Sequence, residues 1–265
     1  MYHEHWNLSE PPYRDGLDLR GFQRTPVHEE ALARMDFLLD GKRRLGLLLG
    51  PEGAGKSLLL NVFADQLRRR GVPIARVDLM GIDAHELCWQ IATSWRTPAQ
   101  FGDSMFVLWR RLADRVQEFR AVGVRGVLLL DNADEAERAT LQHVVRLLSV
   151  DPTADAPLTA IVAARPQRIA ALGERLPSLA SLRIDVTPLE VEETKDFVIA
   201  TLAQAGRTEA TFDEEAIETL HDLTGGNPRH IRQLADLALI AGAGEQTQQI
   251  NRHTVQAAYE ELTVR

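Results

Sequence analysis

The chain has 265 residues, a formal net charge of −8 and a single cysteine. That length is enough for one α/β core plus a smaller second unit. The acidic balance excludes a bulk electrostatic pull toward nucleic acid or an anionic membrane, and lone Cys88 excludes an internal disulfide framework.

The opening MYHEHWNLSEPPY is polar and lacks the basic-then-apolar pattern of a signal peptide. An apolar strand over 45–49 runs straight into Gly50-Pro51-Glu52-Gly53-Ala54-Gly55-Lys56-Ser57. Behind it, Leu58, Leu59, Val62, Phe63 and Leu67 recur at helical spacing over 58–70. Gly71-Val72-Pro73 ends that helix, and 74–79 reads as a strand. Helical spacing returns over 84–95 and 105–119. The continuous apolar run 124–130 is the pattern of a strand buried on both faces. A helix over 135–148, a buried strand over 158–163 and a short strand over 182–186 follow. From Thr187-Pro188-Leu189 onward only helices remain, over 191–205, 213–223, 228–240 and 253–262, each stopped or capped by Gly or Asn. The alternation predicts a parallel sheet covered on both faces, residues 1–187, followed by an all-helical unit, residues 188–265. No apolar run approaches the roughly 18 residues of a membrane helix, so a soluble, cytoplasmic protein without direct membrane insertion is expected. The buried-looking context of Cys88 predicts a packed thiol. Tyr13 is expected either near a bound base or packed on the body of the protein.

The segment 50–57 is the G-x-x-x-x-G-K-[ST] phosphate loop, which holds a nucleoside triphosphate. Gly53 and Gly55 let backbone N–H groups converge on the phosphates. Lys56 brings a point charge to the β/γ oxygens, and the Ser57 hydroxyl offers one ligand to Mg²⁺. The helix that begins there presents its positive dipole end to anions. Gly50 through Leu58 are therefore the nucleotide-binding candidates. Val127-Leu128-Leu129-Leu130-Asp131 ends a buried strand in a carboxylate, the second candidate metal ligand. ATPases of this broad type generally follow that Asp with a Glu as general base, and here the position is Asn132. An amide orients water but takes no proton, and a base is worth about 10²–10⁴-fold. Slow hydrolysis follows as an expectation, Asp134 and Glu135 being two or three residues out of place.

With these residues in order, the chain resembles the AAA+ ATPases of the ExeA/GspA type from general secretion pathways, and the related TniB/MuB transposition ATPases. Tyr2, Trp6-Asn7-Leu8 and Pro11-Pro12-Tyr13 are similar to that family's N-terminal signature. His28-Glu29-Glu30-Ala31-Leu32-Ala33-Arg34-Met35 matches the helix before its first strand, and Pro188-Leu189 with Glu192-Glu193-Thr194 resembles the entry to its helical lid. Gly225-Gly226-Asn227-Pro228-Arg229 is like the lid motif whose arginine senses the γ-phosphate, which the resemblance carries to Arg229. It implies a P-loop NTPase (AAA+) fold, ATP with Mg²⁺, a homo-oligomer, and a protein partner in a secretion-like or regulatory assembly. Three departures stand out. Asn132 replaces the Glu, Ala164-Arg165-Pro166 stands where Gly-Gln-Pro is common, and Leu179 falls at the arginine-finger place, with Arg175 and Arg183 nearby. The sequence ends with the lid, so a membrane role is expected to run through a partner. The leading reading is an ATP-dependent switch acting on a partner assembly. The alternative is a non-hydrolysing, ATP-loaded oligomeric adaptor. DNA binding by that adaptor is disfavoured by charge unless a ring concentrates Arg43, Arg44 or the Arg68–Arg70 cluster around a central path. A small-molecule kinase shares the loop, and the C-terminal helical unit argues against it.

Overall fold

A computed structural model of the chain describes residues 2–263 except 14, 15, 17, 18, 101 and 154. The elements in order are α1 (Tyr2–His5), α2 (Pro26–Asp40), β1 (Leu45–Leu49), α3 (Lys56–Arg69), β2 (Ile74–Asp78), α4 (Ala84–Ser94), α5 (Met105–Ala121), β3 (Gly126–Asp131), α6 (Arg138–Leu148), β4 (Leu158–Ala164), α7 (Arg175–Ser178), β5 (Leu182–Asp185), α8 (Val191–Gln204), α9 (Glu214–Thr224), α10 (Pro228–Gly244) and α11 (Arg252–Thr263). Short 3-10 turns at Ala133–Glu135 and Pro166–Leu172 follow β3 and β4.

The five strands form one sheet in the order β2-β3-β4-β1-β5, and every pairing is parallel. Every residue of β1, β3 and β4 is buried, whereas the edge strands β2 and β5 are only half covered. That is why the central strands read as unbroken apolar runs, while β2 alternates between buried and more exposed residues. In β2, Ala75 and Val77 are buried on one face, so Arg76 and Asp78 share the other. Asp83 and Ser104 cap α4 and α5 by accepting from Glu86 N and Val107 N, which satisfies amide groups that a helix start leaves unpaired.

The contacts divide the chain into two compact units. His28–Pro51 and Lys56–Val186 make the α/β unit. Met1–Val27, Glu52–Gly55 and Thr187–Arg265 make the helical one. The linear split at 187/188 put residues 1–27 with the sheet; in the structure their described part packs with the helices. The reason is apolar. Trp6, Leu8 and Tyr13 are buried in one cluster with Leu202, Leu220, Leu234 and Leu239. Trp6 Nε1 donates to Leu239 O at 2.8 Å, and the Arg207 guanidinium lies 5.3 Å from the Trp6 ring centroid. Tyr13 thus takes the packed role of its two readings, and burial, with Asp236 adding to it, raises its phenol pKa.

The turn between α9 and α10 depends on glycine. Gly225 closes α9 in the left-handed conformation. Gly226 follows at φ 68°, and a Cβ on it would stand 2.0 Å from Leu189 O. No helix among the described residues is long and apolar enough to cross a membrane.

Candidate phosphate-binding site

β1 lies between β4 and β5, and Gly50 N still donates to Ala164 O at 3.3 Å, tying the start of the loop to the end of β4. Gly53 and Gly55 lie at φ 80° and 91°, values that side chains rarely adopt. The loop then delivers Lys56 and Ser57 as the first residues of α3, whose Leu59, Phe63 and Leu67 are fully buried. Lys56 Nζ donates to Gly50 O at 2.7 Å and to Pro51 O at 2.8 Å. The ammonium is therefore held over the loop by the loop's own carbonyls, the place where an anion on α3's N-terminus would meet it.

Glu52–Gly55 cluster with the helical unit. Asn227 caps α10 by accepting from Arg229 N at 3.1 Å, and its Nδ2 donates to Glu52 O at 2.6 Å. Arg229 Nη1 pairs with Glu52 Oε1 at 3.0 Å. A Cβ at Gly53 would fall 2.4 Å from Asn227 Oδ1, so this close approach needs glycine as much as the positive φ does. Arg229, inferred from resemblance, lies beside the loop residue Glu52; the Asn227 bond to the Glu52 carbonyl went unread, because the sequence showed Asn227 only as part of the motif before Arg229.

The carboxyl ends of β2 and β3 carry the remaining candidates. Asp131 is buried, and its Oδ1 accepts from Asn132 N at 3.0 Å. Arg76 Nη2 reaches Asp131 Oδ2 at 3.3 Å from the neighbouring strand. Asp78 is the register partner of Asp131. Asn132 has left-handed backbone, φ 50° and ψ 38°, and its Nδ2 donates to Asp78 Oδ1 at 2.9 Å. Sequence reading missed Arg76 and Asp78. The signal was present: a strand reading I-A-R-V-D puts two charges on one face and ends in a carboxylate at the edge where open α/β sheets bind ligands.

Asp134 and Glu135 are committed elsewhere. Arg165 Nε pairs with Asp134 Oδ2 at 2.6 Å, and its Nη2 pairs with Glu135. Arg168 Nη1 pairs with Glu135 Oε1 at 2.5 Å. Arg165, noted in the sequence as a departure, thus neutralises both acids. Of the finger candidates, Arg183 forks onto its neighbour Asp185 at 2.8 Å and Arg175 is an exposed residue of short α7. Arg44, Arg69 and Arg70 are also engaged, by the Asp151 and Thr153 carbonyls, by Asp65, and by Asp36 respectively. Leu58 is partly buried on α3.

Ser57 and Asp131 offer hard oxygens, and among the described residues no group of three or more His, Cys, Asp or Glu could cage a metal ion. Two protein oxygens suit Mg²⁺, which keeps waters and takes phosphate oxygens for the rest of its shell. The donor set fits that ion.

The chain is similar to several known proteins. The family model AAA_22, described as AAA domain, matches residues 39–172. General secretion pathway protein A of Aeromonas hydrophila is 26% identical over 270 residues, a match covering 100% of this chain and 49% of that protein. The chain therefore spans about half the length of that relative. Among solved structures, Drosophila ORC bound to DNA superposes with TM-score 0.72 at 17% identity, covering 93% of this chain and 65% of that one. Cdc6p from Pyrobaculum aerophilum gives 0.67 at 19%, over 91% of this chain and 68% of that one. The RuvB Holliday junction branch migration motor of Thermotoga maritima gives 0.63 at 18%, over 97% and 74%. At such identities the structures speak for the fold, a five-stranded parallel P-loop sheet with a helical C-terminal region. With the family model spanning the loop, Asp131 and most of the sheet, the chain belongs to the AAA domain family.

Proposed function

We propose that this chain binds ATP with Mg²⁺ on the loop 50–57 and works as a nucleotide-dependent switch on a partner assembly, hydrolysing ATP slowly. The observation that carries the reading is the loop itself: glycines at positive φ, Lys56 poised over them, and α3 beginning where the phosphates would lie. In this reading, Gly50 through Leu58 surround the triphosphate, every residue but Pro51 offering a backbone N–H, and Lys56 meets the β/γ oxygens. Ser57 and Asp131 hold Mg²⁺, which supplies positive charge against the phosphate oxygens. Asn132 helps to order the attacking water. Arg229, which shares a compact unit with Glu52–Gly55, exchanges its Glu52 partner for the γ-phosphate and so reports ATP against ADP. Assembly as a homo-oligomer and action on a protein partner in the cytoplasm complete the proposal. DNA is disfavoured by the net charge and by the ion pairs that engage Arg69 and Arg70.

The test measures binding of a fluorescent ATP analogue beside steady-state phosphate release, with Lys56→Ala as the reference. Binding weakened about tenfold or more by the variant is the expected result, from the loss of a charge-assisted contact. Turnover above the reference supports the enzyme. Binding without turnover moves the chain to a nucleotide-loaded adaptor, and binding that ignores Lys56→Ala removes the proposal.

A further inference from the structure

Position 132 has no carboxylate, and the two acids that follow it are held by Arg165 and Arg168. Asp131 is buried against Arg76. Among the described residues at the carboxyl ends of β2 and β3, one acid is paired with no cation. Asp78 ends β2, is the register partner of Asp131 and is exposed. Its Oδ1 accepts from Asn132 Nδ2 at 2.9 Å and from Met80 N at 3.1 Å. Among the described residues, no hydrogen bond engages Oδ2. The side chain is thus fixed in direction by one oxygen and presents the other to solvent. An Asp-centred turn accounts for the bond to Met80. It does not account for Asn132, which reaches across from the next strand to hold the same oxygen.

We propose that Asp78 is the general base for ATP hydrolysis, oriented by Asn132, so that the carboxylate absent after Asp131 is supplied by the adjacent strand. The proposal rests on the ATP-binding reading above. In the step, a water oxygen forms a bond to the γ-phosphorus while one water proton passes to Asp78 Oδ2. The bond from that phosphorus to the β–γ bridging oxygen breaks, and its electron pair leaves with ADP. Asp78, being exposed, returns the proton to solvent. Asn132 is a positioning residue here, acting through Asp78.

The experiment compares the full chain with Asp78→Asn, Asn132→Asp and the double exchange Asp78→Asn/Asn132→Asp, measuring analogue binding and phosphate release for each. Asp78→Asn is expected to bind within about threefold of the parent and to lose about 100-fold in turnover. The double exchange, which returns a carboxylate to the pair, is expected to recover at least about tenfold of that loss. Three results overturn the assignment: turnover of Asp78→Asn at the parent rate, a loss of binding that matches the loss of turnover, or a double exchange no faster than Asp78→Asn. A parent chain that binds ATP but releases no phosphate overturns it while leaving the switch intact. A parent that does not bind ATP overturns the underlying reading as well.

Discussion

At position 132 the backbone sits at φ 50°, ψ 38°, where most L-residues are strained by contact between Cβ and the following carbonyl. Asn and Asp enter this region more readily than Glu, because a short polar side chain can bond locally. The geometry therefore resists a Glu at this position, quite apart from chemistry. Asn132→Glu is expected to cost about 1 kcal/mol and to lower the melting temperature by about 2–4 °C, whereas Asn132→Asp leaves it nearly unchanged; a thermal scan of the two variants decides. Cys88 offers a second check. Burial pushes its thiol up to about 11, with Arg146 pulling weakly the other way. A thiol reagent at pH 8 should label it only after unfolding, and rapid labelling of the folded chain would contradict the packing. The loop, Asp131 and the missing Glu were legible because each is a local string of residue types. Arg76 and Asp78 left only a partial signal, two charges on one face of a strand, since their place beside Asp131 comes from the register of β2 on β3, which one sequence does not state.

Among the elements, helical spacing placed most of the long helices and unbroken apolar runs placed the central strands, because a helix buries a stripe and a central strand buries both faces. The short 3-10 turns after β3 and β4 escaped notice; a run of three to seven residues has too few turns to show a stripe. The segment between α6 and β4 shows how side chains hold a connection that has no periodicity. Asp151 is buried beside Arg120, while Thr153 N and Oγ1 both donate to Asp151 Oδ1. Burial alone would raise its carboxyl, but the bonds from Arg120 and Thr153 outweigh it and hold the pKa at about 2. An unfolded Asp titrates near about 3.9, so on acidification the unfolded chain takes up the proton first. The stabilisation is full above about pH 5 and is lost as pH falls through about 4 to about 2. Urea midpoints measured across that window should fall more steeply for the parent than for Asp151→Asn. Parallel curves would mean that the cluster does not couple to folding.

On the scale of the whole molecule, the helical unit is assembled from both ends of the described chain. Trp6 is 1% exposed and lies among residues of α8, α9, α10 and α11. Trp6→Ala is expected to destabilise that unit by about 3–5 kcal/mol. Limited proteolysis should then cut first within α8–α11, while cleavage beginning in the sheet would count against the division into units. The break in linear order was hidden in the sequence, where Trp6 read only as part of a signature and nothing marked its partner 233 residues away. This separation has a consequence during synthesis. Chains leave the ribosome at about 5–20 residues per second, so the indole waits roughly ten to fifty seconds before Leu239 exists to accept its hydrogen bond. The sheet and its phosphate loop are complete in the meantime. The nascent chain therefore carries an exposed Trp6, Leu8 and Tyr13 patch ahead of a finished α/β unit, a transient stretch suited to a holding chaperone, and the helical unit closes only once α10 and α11 have been made.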